Sequence, residues 1–346
     1  MATDTAARTA TTLPPQSGID PPRISTVVRS PKLDPASFEI VVTVPTFRRP
    51  TQLLETLESL RAQRTQRRFA VIVIENEAGA REGAAAAAPL FREGELEGMV
   101  IVAHERGNCC AYNAGWETAL ATFPAFCHIA VIDDDEQADP DWLERLCRAA
   151  NLYSADVVGG PQIPLFAAGA NPRRAGHPVF APPYRKSGPV PALYSSGNLL
   201  VSRRVLTALG PPFLDTAFNF IGGGDSDFLS RAADSGFCLA WCDEAPVTEV
   251  VPPRRLDADW IRARSLRNGV ISTLVEQRKR ARSPFGRTRA IAHSAALLAA
   301  SPARALARLA RTGSPEHAAY PMLVAAGRVL AHFGYANEQY RQPEKN

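Results

Sequence analysis

"FEIVVTVPTFRRPTQLLETLESLRAQ", residues 38–63, decides the fold class of this chain. Its first part, residues 38–45, is a nearly continuous apolar run rich in valine, which is typical of a strand buried on both faces. Residues 50–63 carry apolar side chains at helical spacing and begin with proline and threonine, which favour the start of a helix. A buried strand followed directly by an amphipathic helix is the repeating unit of parallel sheets.

Three further apolar runs repeat this pattern. Residues 69–76, 99–105 and 126–133 predict strands, and helical patterns near 83–92 and 109–123 lie between them. We therefore predict an α/β fold with a mostly parallel sheet covered by helices on both faces. Ligands of such sheets bind beyond the carboxyl ends of the strands. Polar residues stand at four of these ends: Thr46, Glu75, Glu105 and Asp133.

The rest of the chain differs from this core in composition. Residues 1–36 are rich in Thr, Ser, Pro and Ala, which predicts a disordered tail. Residues 161–192 contain eight prolines without clear periodicity and predict a long loop. We expect one α/β domain over residues 37–276, followed by a basic helical region over residues 277–346.

Charge and composition narrow the partners. The chain has a net charge of +4, yet residues 278–311 contain nine Lys or Arg and no Asp or Glu. Basic helices in this region favour peripheral contact with an anionic membrane. A helical appendage packed on the domain, or a dimer contact, is the alternative. Aromatic residues do not interleave with basic ones, so we expect no nucleic acid partner. We found no signal-peptide pattern, spanning segment or cysteine framework, and we expect a cytoplasmic protein.

Three adjacent carboxylates occur in "AVIDDDEQADPDW", residues 130–142, where the predicted strand ends. Asp133, Asp134 and Asp135 repel one another unless a cation or another partner compensates them. Oxygen ligands of this kind suit Mg²⁺ or Mn²⁺, which commonly combine one or two carboxylates with substrate phosphates. The alternative is a solvated acidic turn before the next helix.

A second acidic site follows a glycine turn in "GGGDSDF", residues 222–228. Glycines there permit positive φ and a close approach of a ligand to the backbone. Asp225 would stand near a helix N-terminus, where its carboxylate is suited to accept a proton from a hydroxyl group. An ordinary N-cap is the alternative.

Six motifs taken together resemble family 2 glycosyltransferases of GT-A fold, over roughly residues 38–270. In chain order they read "VPTFRRPTQLLETLESLRAQ", "VIVIEN", "ERGNCCAYNAG", "AVIDDDEQADPDWL", "SSGNLLVSRRVL" and "GGGDSDFLSRAADSGF". The later stretch "PVTEVVPPRRLDADWIRARSLRNG", residues 246–269, resembles the bacterial exopolysaccharide branch, including succinoglycan-type enzymes.

The resemblance implies roles for individual residues. Asp225 would be the catalytic base of an inverting transfer. Asp133 and Asp135 would form the DxD motif that holds a divalent metal, Mn²⁺ or Mg²⁺, with Asp135 the more direct ligand. The residues expected to bind the nucleotide-sugar are Pro45, Thr46, Glu75, Asp133, Asp134, Arg264 and Arg267. For Arg264 and Arg267, which lie three apart on a predicted helix, a solvated helix face is the alternative.

Three positions depart from the family pattern. Gly224 replaces a Glu that usually precedes the base, and Tyr112 stands where an Arg is common. A His that often serves as a further metal ligand is missing, and Glu249 in "VTEVV" is either a substitute or a structural residue.

The sequence thus predicts a metal-dependent, inverting glycosyltransferase of exopolysaccharide or cell-surface polysaccharide synthesis. It would move a sugar from a nucleotide-sugar, in our prediction a UDP-sugar, to a saccharide or lipid-linked saccharide, in the cytoplasm or at the inner face of the plasma membrane. The alternatives are a sugar-nucleotide nucleotidyltransferase and a non-catalytic nucleotide-sugar-binding module of the same fold. The first normally has a glycine-rich phosphate loop after strand one, and "VPTFRRP" has no glycine there.

Overall fold

The computed structural model of the protein describes residues 23–281, 283–336, 338 and 341. The strands are β1 Ile24–Arg29, β2 Ile40–Thr46, β3 Phe69–Glu75, β4 Gly98–Ala103, β5 His128–Ile132, β6 Glu136–Ala138, β7 Val157–Gly159, β8 Gln162–Leu165, β9 Gly188–Pro189, β10 Asn198–Ser202, β11 Leu239–Trp241 and β12 Val247–Val250. The helices are α1 Pro50–Arg61, α2 Glu82–Arg92, α3 Asn108–Thr122, α4 Trp142–Leu152, α5 Pro172–Ala175, α6 Arg203–Leu209, α7 Gly224–Asp234, α8 Ala258–Arg280, α9 Gly286–Thr312 and α10 Pro315–His332.

A large twisted sheet forms the centre of the molecule. Over the described ranges its strand order is β1-β4-β3-β2-β5-β10-β7-β11-β9, and β4, β3, β2 and β5 run parallel. Strand β10 is antiparallel to both of its neighbours, β5 and β7. Every residue of β2 is buried, because helices cover both faces of the sheet. The predicted α/β fold is confirmed.

Two hydrophobic layers hold these helices to the sheet. One layer includes the aromatic side chains of α3, Tyr112 and Trp116, which pack with Phe213 and Phe228. The other layer, on the opposite face, holds α1, α2 and α4 through residues such as Leu57. Burial of this size is the main stabilising contribution to such a fold.

A second, small sheet stands beside the carboxyl ends of the central strands. Its order within the described part of the chain is β6-β12-β8. Strand β6 is antiparallel to β12, and their register places Glu249 opposite Glu136. This sheet therefore brings a residue distant in sequence to the edge where the aspartates lie.

Part of the predicted disordered tail is ordered, which corrects that prediction. Strand β1, within residues 1–36, pairs antiparallel with β4, and Ile24 lies opposite Ala103. Residues 1–22 lie outside the described residues. An edge strand of this kind is held by backbone hydrogen bonds and by contacts such as Ser25 Oγ to His104 Nε2 at 2.8 Å. It needs no continuous apolar run, and its exposed residues gave no strand pattern in the sequence.

The C-terminal helices pack on the α/β domain through α8. The expected boundary at residues 276/277 falls inside α8, so this helix belongs to both regions. Helices α8 and α10 approach closely at two glycines. A Cβ at Gly269 would lie 2.0 Å from the Val324 carbonyl oxygen, and one at Gly327 would lie 2.0 Å from that of Leu266. None of the helices described is both long and apolar enough to cross a membrane.

Candidate active site

The carboxyl ends of β2 and β5 bring the first polar residues together. Strands β2 and β5 are adjacent and parallel, so the residues that follow them meet at one edge of the sheet. There the Thr46 hydroxyl donates to Asp134 Oδ2 at 2.8 Å, and the backbone N–H of Phe47 donates to the same oxygen at 3.3 Å. Asp134 is thus bound to the end of β2.

Asp133 lies in a network of polar side chains. The Tyr112 hydroxyl donates to Asp133 Oδ1 at 2.6 Å, and the Ser196 hydroxyl donates to the Tyr112 oxygen at 2.9 Å. The Asp133 backbone N–H donates to the buried Glu136 at 3.0 Å. Burial, followed by the negative charge of Asp135, raises the pKa of the Asp133 carboxyl. This site therefore carries more negative charge than its surroundings compensate.

One arginine offsets part of this charge. Arg49 Nη1 lies 3.1 Å from Asp134 Oδ1 and 2.6 Å from Asp135 Oδ2. Burial alone would lower the pKa of the Arg49 guanidinium, but the charges of Asp135 and Asp134 raise it well above its usual range. Arg49 and Asp135 remain partly accessible, with side chains 34% and 17% exposed. A ligand can therefore reach this pair.

Glu75 lies at the expected strand end but does not face the same space. It is fully buried, and its oxygens accept backbone N–H groups of Glu77 at 2.8 Å and Ala84 at 3.0 Å. Burial raises the pKa of the Glu75 carboxyl. These contacts fix the start of α2, so the role of Glu75 in binding a nucleoside remains a prediction.

Asp225 lies in the first turn of α7, as the glycine turn predicted. Gly222 and Gly223 have φ values of 84° and 98°, which residues with a Cβ rarely adopt. Burial raises the pKa of the Asp225 carboxyl, while the backbone N–H of Ser226, the charge of Arg264 and the backbone of Ser196 lower it. The Ser196 hydroxyl joins the Asp133 network through Tyr112, and the backbone of Ser196 lies near the Asp225 carboxyl.

Two adjoining cavities contain these groups. The first, which we call the aspartate cavity, has a volume of about 460 Å³ and is lined by Asp133, Asp134 and Asp135. The second, the Asp225 cavity, has a volume of about 770 Å³. The two share four lining residues: Gln162, Val179, Phe180 and Glu249.

The other predicted residues divide between these cavities. Pro45, Thr46 and Arg264 line the aspartate cavity, whereas Arg267 lines the Asp225 cavity. Although they are only three residues apart on α8, the two arginines therefore face different spaces. Both were predicted to bind the nucleotide-sugar, but only Arg264 lines the cavity that contains the aspartates.

The three departures from the family pattern have different structural settings. A Cβ at Gly224 would lie 2.5 Å from Cys109 Sγ, so no side chain fits there without a change at position 109. Tyr112 supplies the hydroxyl that holds Asp133. Glu249 binds Arg255, and burial raises the pKa of the Glu249 carboxyl despite this partner; the charge of Asp135 raises it further.

The carboxylates suit a divalent cation that is completed by a ligand. No cluster of three or more His, Cys, Asp or Glu side chains within the described ranges is arranged to hold a metal alone. Asp133 and Glu249, however, both have pKa values raised by burial and by the charge of Asp135. A cation would relieve this repulsion, and Mg²⁺ commonly takes only one or two protein carboxylates beside substrate phosphates.

Sequence reasoning missed several contributors. Glu136, Gln162 and Ser196 form hydrogen bonds at the site. Glu136 and Ser196 lie inside quoted motifs but were given no role, and Gln162 lies in none of them. Arg49 was a weaker candidate for a phosphate contact, from its place with Arg48 after the first strand, but its contacts with the aspartates gave no signal in the sequence. Its partners depend on a tertiary contact across 85 residues.

Comparisons with known proteins agree with this architecture. Residues 41–208 match the family "Glycosyl transferase family 2". The chain is 31% identical over 244 residues to the "Succinoglycan biosynthesis protein ExoM" of Rhizobium meliloti (strain 1021), covering 67% of this chain and 74% of that protein. This chain therefore belongs to glycosyl transferase family 2, and it is a glycosyltransferase.

Solved structures show the same fold. The mannosyltransferase PcManGT from Pyrobaculum calidifontis, in complex with GDP-Man and Mn²⁺, superposes with a TM-score of 0.55 at 19% identity, covering 88% of this chain and 90% of that one. TarS 1-349 of S. aureus superposes with a TM-score of 0.50 at 13% identity, covering 86% and 92%. The expected GT-A fold is confirmed by these likenesses.

Proposed function

We propose that this chain is a metal-dependent, inverting glycosyltransferase that uses a UDP-sugar in exopolysaccharide or cell-surface polysaccharide synthesis. The observation that carries the proposal is that Asp133 and Asp225 line two adjoining cavities with a common border at Gln162, Val179, Phe180 and Glu249. A transferase needs a donor site and an acceptor site that meet at the reacting carbon atom. Relatedness to a succinoglycan biosynthesis protein supports the polysaccharide context.

The aspartate cavity is the proposed donor site. Pro45 and Thr46 would position the nucleoside at the end of β2, with Glu75 behind them. Asp134 is already bound to Thr46 and Arg49, so its part is to shape the site. Arg264 lines this cavity, and its guanidinium group suits a phosphate oxygen.

The proposed metal site is formed by Asp135 and Asp133, with Glu249 facing them. When bound, Mn²⁺ or Mg²⁺ supplies Lewis-acid stabilisation to a leaving diphosphate. The negative charge of Asp133 and Asp135 would attract the cation, and Arg49 neutralises part of that charge. The Mn²⁺ in the PcManGT complex is consistent with a divalent metal in this fold.

Asp225 is the proposed base. It would accept the proton of an acceptor hydroxyl, whose oxygen then forms a bond to the anomeric carbon. The bond from that carbon to the diphosphate oxygen breaks, and its electron pair leaves with the nucleotide. Attack from the side opposite the leaving group inverts the configuration. A positioned general base contributes a rate factor of ~10²–10⁴.

The substitution Asp225→Asn tests this assignment. We expect transfer to fall at least ~10²-fold while nucleotide affinity, measured by calorimetry with Mn²⁺, changes little. The control is Asp234→Asn on the same helix, because Asp234 is exposed, pairs with the exposed Lys279 and lines neither cavity. Loss of nucleotide affinity with transfer retained would contradict the roles given to the two cavities. Failure of the parent chain to hydrolyse or transfer any donor would favour a non-catalytic binding module.

The acceptor side carries a proposal of its own: a saccharide or lipid-linked saccharide bound by a protein in peripheral contact with an anionic membrane. Beyond Asp225 the cavity wall includes the apolar side chains of Leu229, Ile271 and Val275 beside polar ones such as Ser230 and Ser272. The C-terminal region also exposes large apolar side chains beside its arginines, among them Phe285 at 78% and Leu306 at 67%. Such surfaces suit the interface of an anionic bilayer.

Vesicle sedimentation tests the membrane contact. The double variant Phe285→Ser/Leu306→Ser should bind phosphatidylglycerol vesicles several-fold more weakly than the parent. Leu152→Ser removes a side chain of similar exposure, 74%, from α4 and should have no effect. Equal binding by all three proteins would contradict the membrane proposal and leave the transferase proposal untouched.

A further inference from the structure

Four arginines surround a third cavity, between α9 and α10. This arginine cavity has a volume of about 390 Å³ and contains no acidic lining residue in the described part of the chain. Its basic members are Arg304, Arg308, Arg311 and Arg328. The first three follow one another at helical spacing on one face of α9. Between them lies an apolar floor that includes Leu297 and Val324.

The guanidinium groups of the cavity are incompletely satisfied. Arg308 Nη1 and Arg328 Nε are buried and have no hydrogen-bond partner among the described residues. Arg308 lies against the ring of Tyr320, 5.4 Å from its centroid, which fixes it at the cavity wall. Over the same residues, no carboxylate forms an ion pair with any of the three cavity arginines on α9. A buried N–H group without an acceptor is costly, so this arrangement favours an anion.

Phosphate is the anion class that fits. Arginine presents a planar set of N–H donors that matches phosphate oxygens, and several such groups around one space select multiple negative charges. Only Arg328 has its charge compensated, by Glu276. We propose that the arginine cavity is a binding site for a phosphate or diphosphate group, separate from the donor site.

The position of the cavity connects it to the acceptor side. Tyr320 and Val324 line both the arginine cavity and the Asp225 cavity. The phosphate could belong to a soluble compound or to a lipid headgroup, since both present the same oxygens. The binding proposal does not rest on the transfer reaction. Apart from Tyr320 and Val324, the residues of the arginine cavity line neither the aspartate cavity nor the Asp225 cavity.

Titration calorimetry with inorganic pyrophosphate tests the site. EDTA removes divalent metal, so the aspartate cavity stays negative and does not attract the probe. We expect the double variant Arg304→Gln/Arg311→Gln to bind pyrophosphate about 10-fold more weakly or worse. Both side chains are exposed, so the fold should be retained, as thermal unfolding will show. The matched control Arg287→Gln/Arg289→Gln removes the same charge from exposed positions of α9 outside the cavity and should bind like the parent.

A second arm separates the two sources. Saturating pyrophosphate should displace the parent from phosphatidylglycerol vesicles if a lipid headgroup occupies the cavity. If a soluble phosphate compound is the ligand, the parent should stay bound to vesicles when pyrophosphate is added. In that case Arg304→Gln/Arg311→Gln and Arg287→Gln/Arg289→Gln should weaken vesicle binding to the same extent. The proposal is overturned if the parent does not bind pyrophosphate, or if both double variants weaken pyrophosphate binding to the same extent.

Discussion

The aspartate cavity and the interface of α8 with α10 both contain clustered charges, but their electrostatic balance is opposite. At the interface, burial acts to raise the pKa of Glu276, and hydrogen bonds from Arg328 and His293 outweigh it, so the pKa lies below its ordinary value. In the aspartate cavity, the pKa of Asp133 is raised even though Tyr112 donates to it. Compensated charges stabilise the fold, whereas charges left uncompensated are available to a ligand.

Breaking the compensated pair should have the largest effect on stability. Glu276→Gln leaves the buried Arg328 without a counter-ion, and we expect the free energy of unfolding to fall by about 3 kcal/mol. Asp234→Asn, which removes the partner of the exposed Lys279, should cost less than about 1 kcal/mol. Denaturant unfolding measures both. Equal losses of unfolding free energy for the two variants would show that Glu276 and Arg328 contribute no more than an exposed ion pair.

Removing a carboxylate from the aspartate cavity should mainly affect activity. Asp135→Asn should lower the transfer rate roughly 100-fold, because a metal ligand that stabilises the leaving diphosphate is lost. The free energy of unfolding should change by less than about 1 kcal/mol, because the loss of the partly exposed ion pair with Arg49 opposes the relief of repulsion among the carboxylates. A steady-state assay across Mn²⁺ concentrations, together with denaturant unfolding, provides the measurement. A large loss of stability would place Asp135 with the structural charges.

The close crossing of α8 and α10 should determine whether an alanine substitution stabilises or destabilises the protein. Alanine normally stabilises a helix relative to glycine by about 1 kcal/mol. Gly327→Ala should instead destabilise the protein by about 1–3 kcal/mol, because the new Cβ meets the Leu266 carbonyl oxygen. Thermal unfolding measures the change. A stabilised variant would mean that α8 and α10 are further apart than described.

The smallest effect is the pH dependence of the unfolding free energy, which should have opposite signs for Glu276 and Asp225. The lowered pKa of Glu276 contributes stability above its unfolded pKa, about 4.3, which is lost as pH falls through the folded value. Asp225 has a raised pKa, so its contribution is present below about pH 3.9 and is lost as pH rises through the folded value. Unfolding free energies of the parent, Glu276→Gln and Asp225→Asn from pH 3 to 7 would separate these slopes. Parallel curves for the two variants would contradict this assignment.

The parts of the fold that sequence could predict are those with strong local patterns. Strands β2, β3, β4 and β5 are buried on both faces, so their Val/Ile runs identify them without knowledge of their neighbours. Strand β1 is an edge strand whose pairing with β4 depends on backbone groups, which leave no trace in composition. The boundary at residues 276/277 was placed from charge, while the continuity of α8 depends on packing against α10.

The candidate site divides in the same way. Asp133, Asp135 and Asp225 stand after a strand or at a glycine turn, and their positions follow from local sequence. The contacts of Arg49 with the aspartates and of Ser196 with Tyr112 join segments about 85 residues apart, and only the folded chain brings them together. Glu75 stands at the expected strand end but lines neither cavity, because the N-terminus of α2 supplies backbone donors for its carboxylate.

The contact of Gly224 with Cys109 sets a condition for redesigning acceptor choice. An acidic side chain introduced before the base would overlap the cysteine sulfur, so the Cys109 side chain has to move or be replaced by a smaller one. Gly224→Glu alone should therefore give a misfolded or inactive protein, whereas its combination with Cys109→Gly makes room for the new group. Libraries that vary the two positions together therefore reach acidic residues before the base that single-site libraries disfavour.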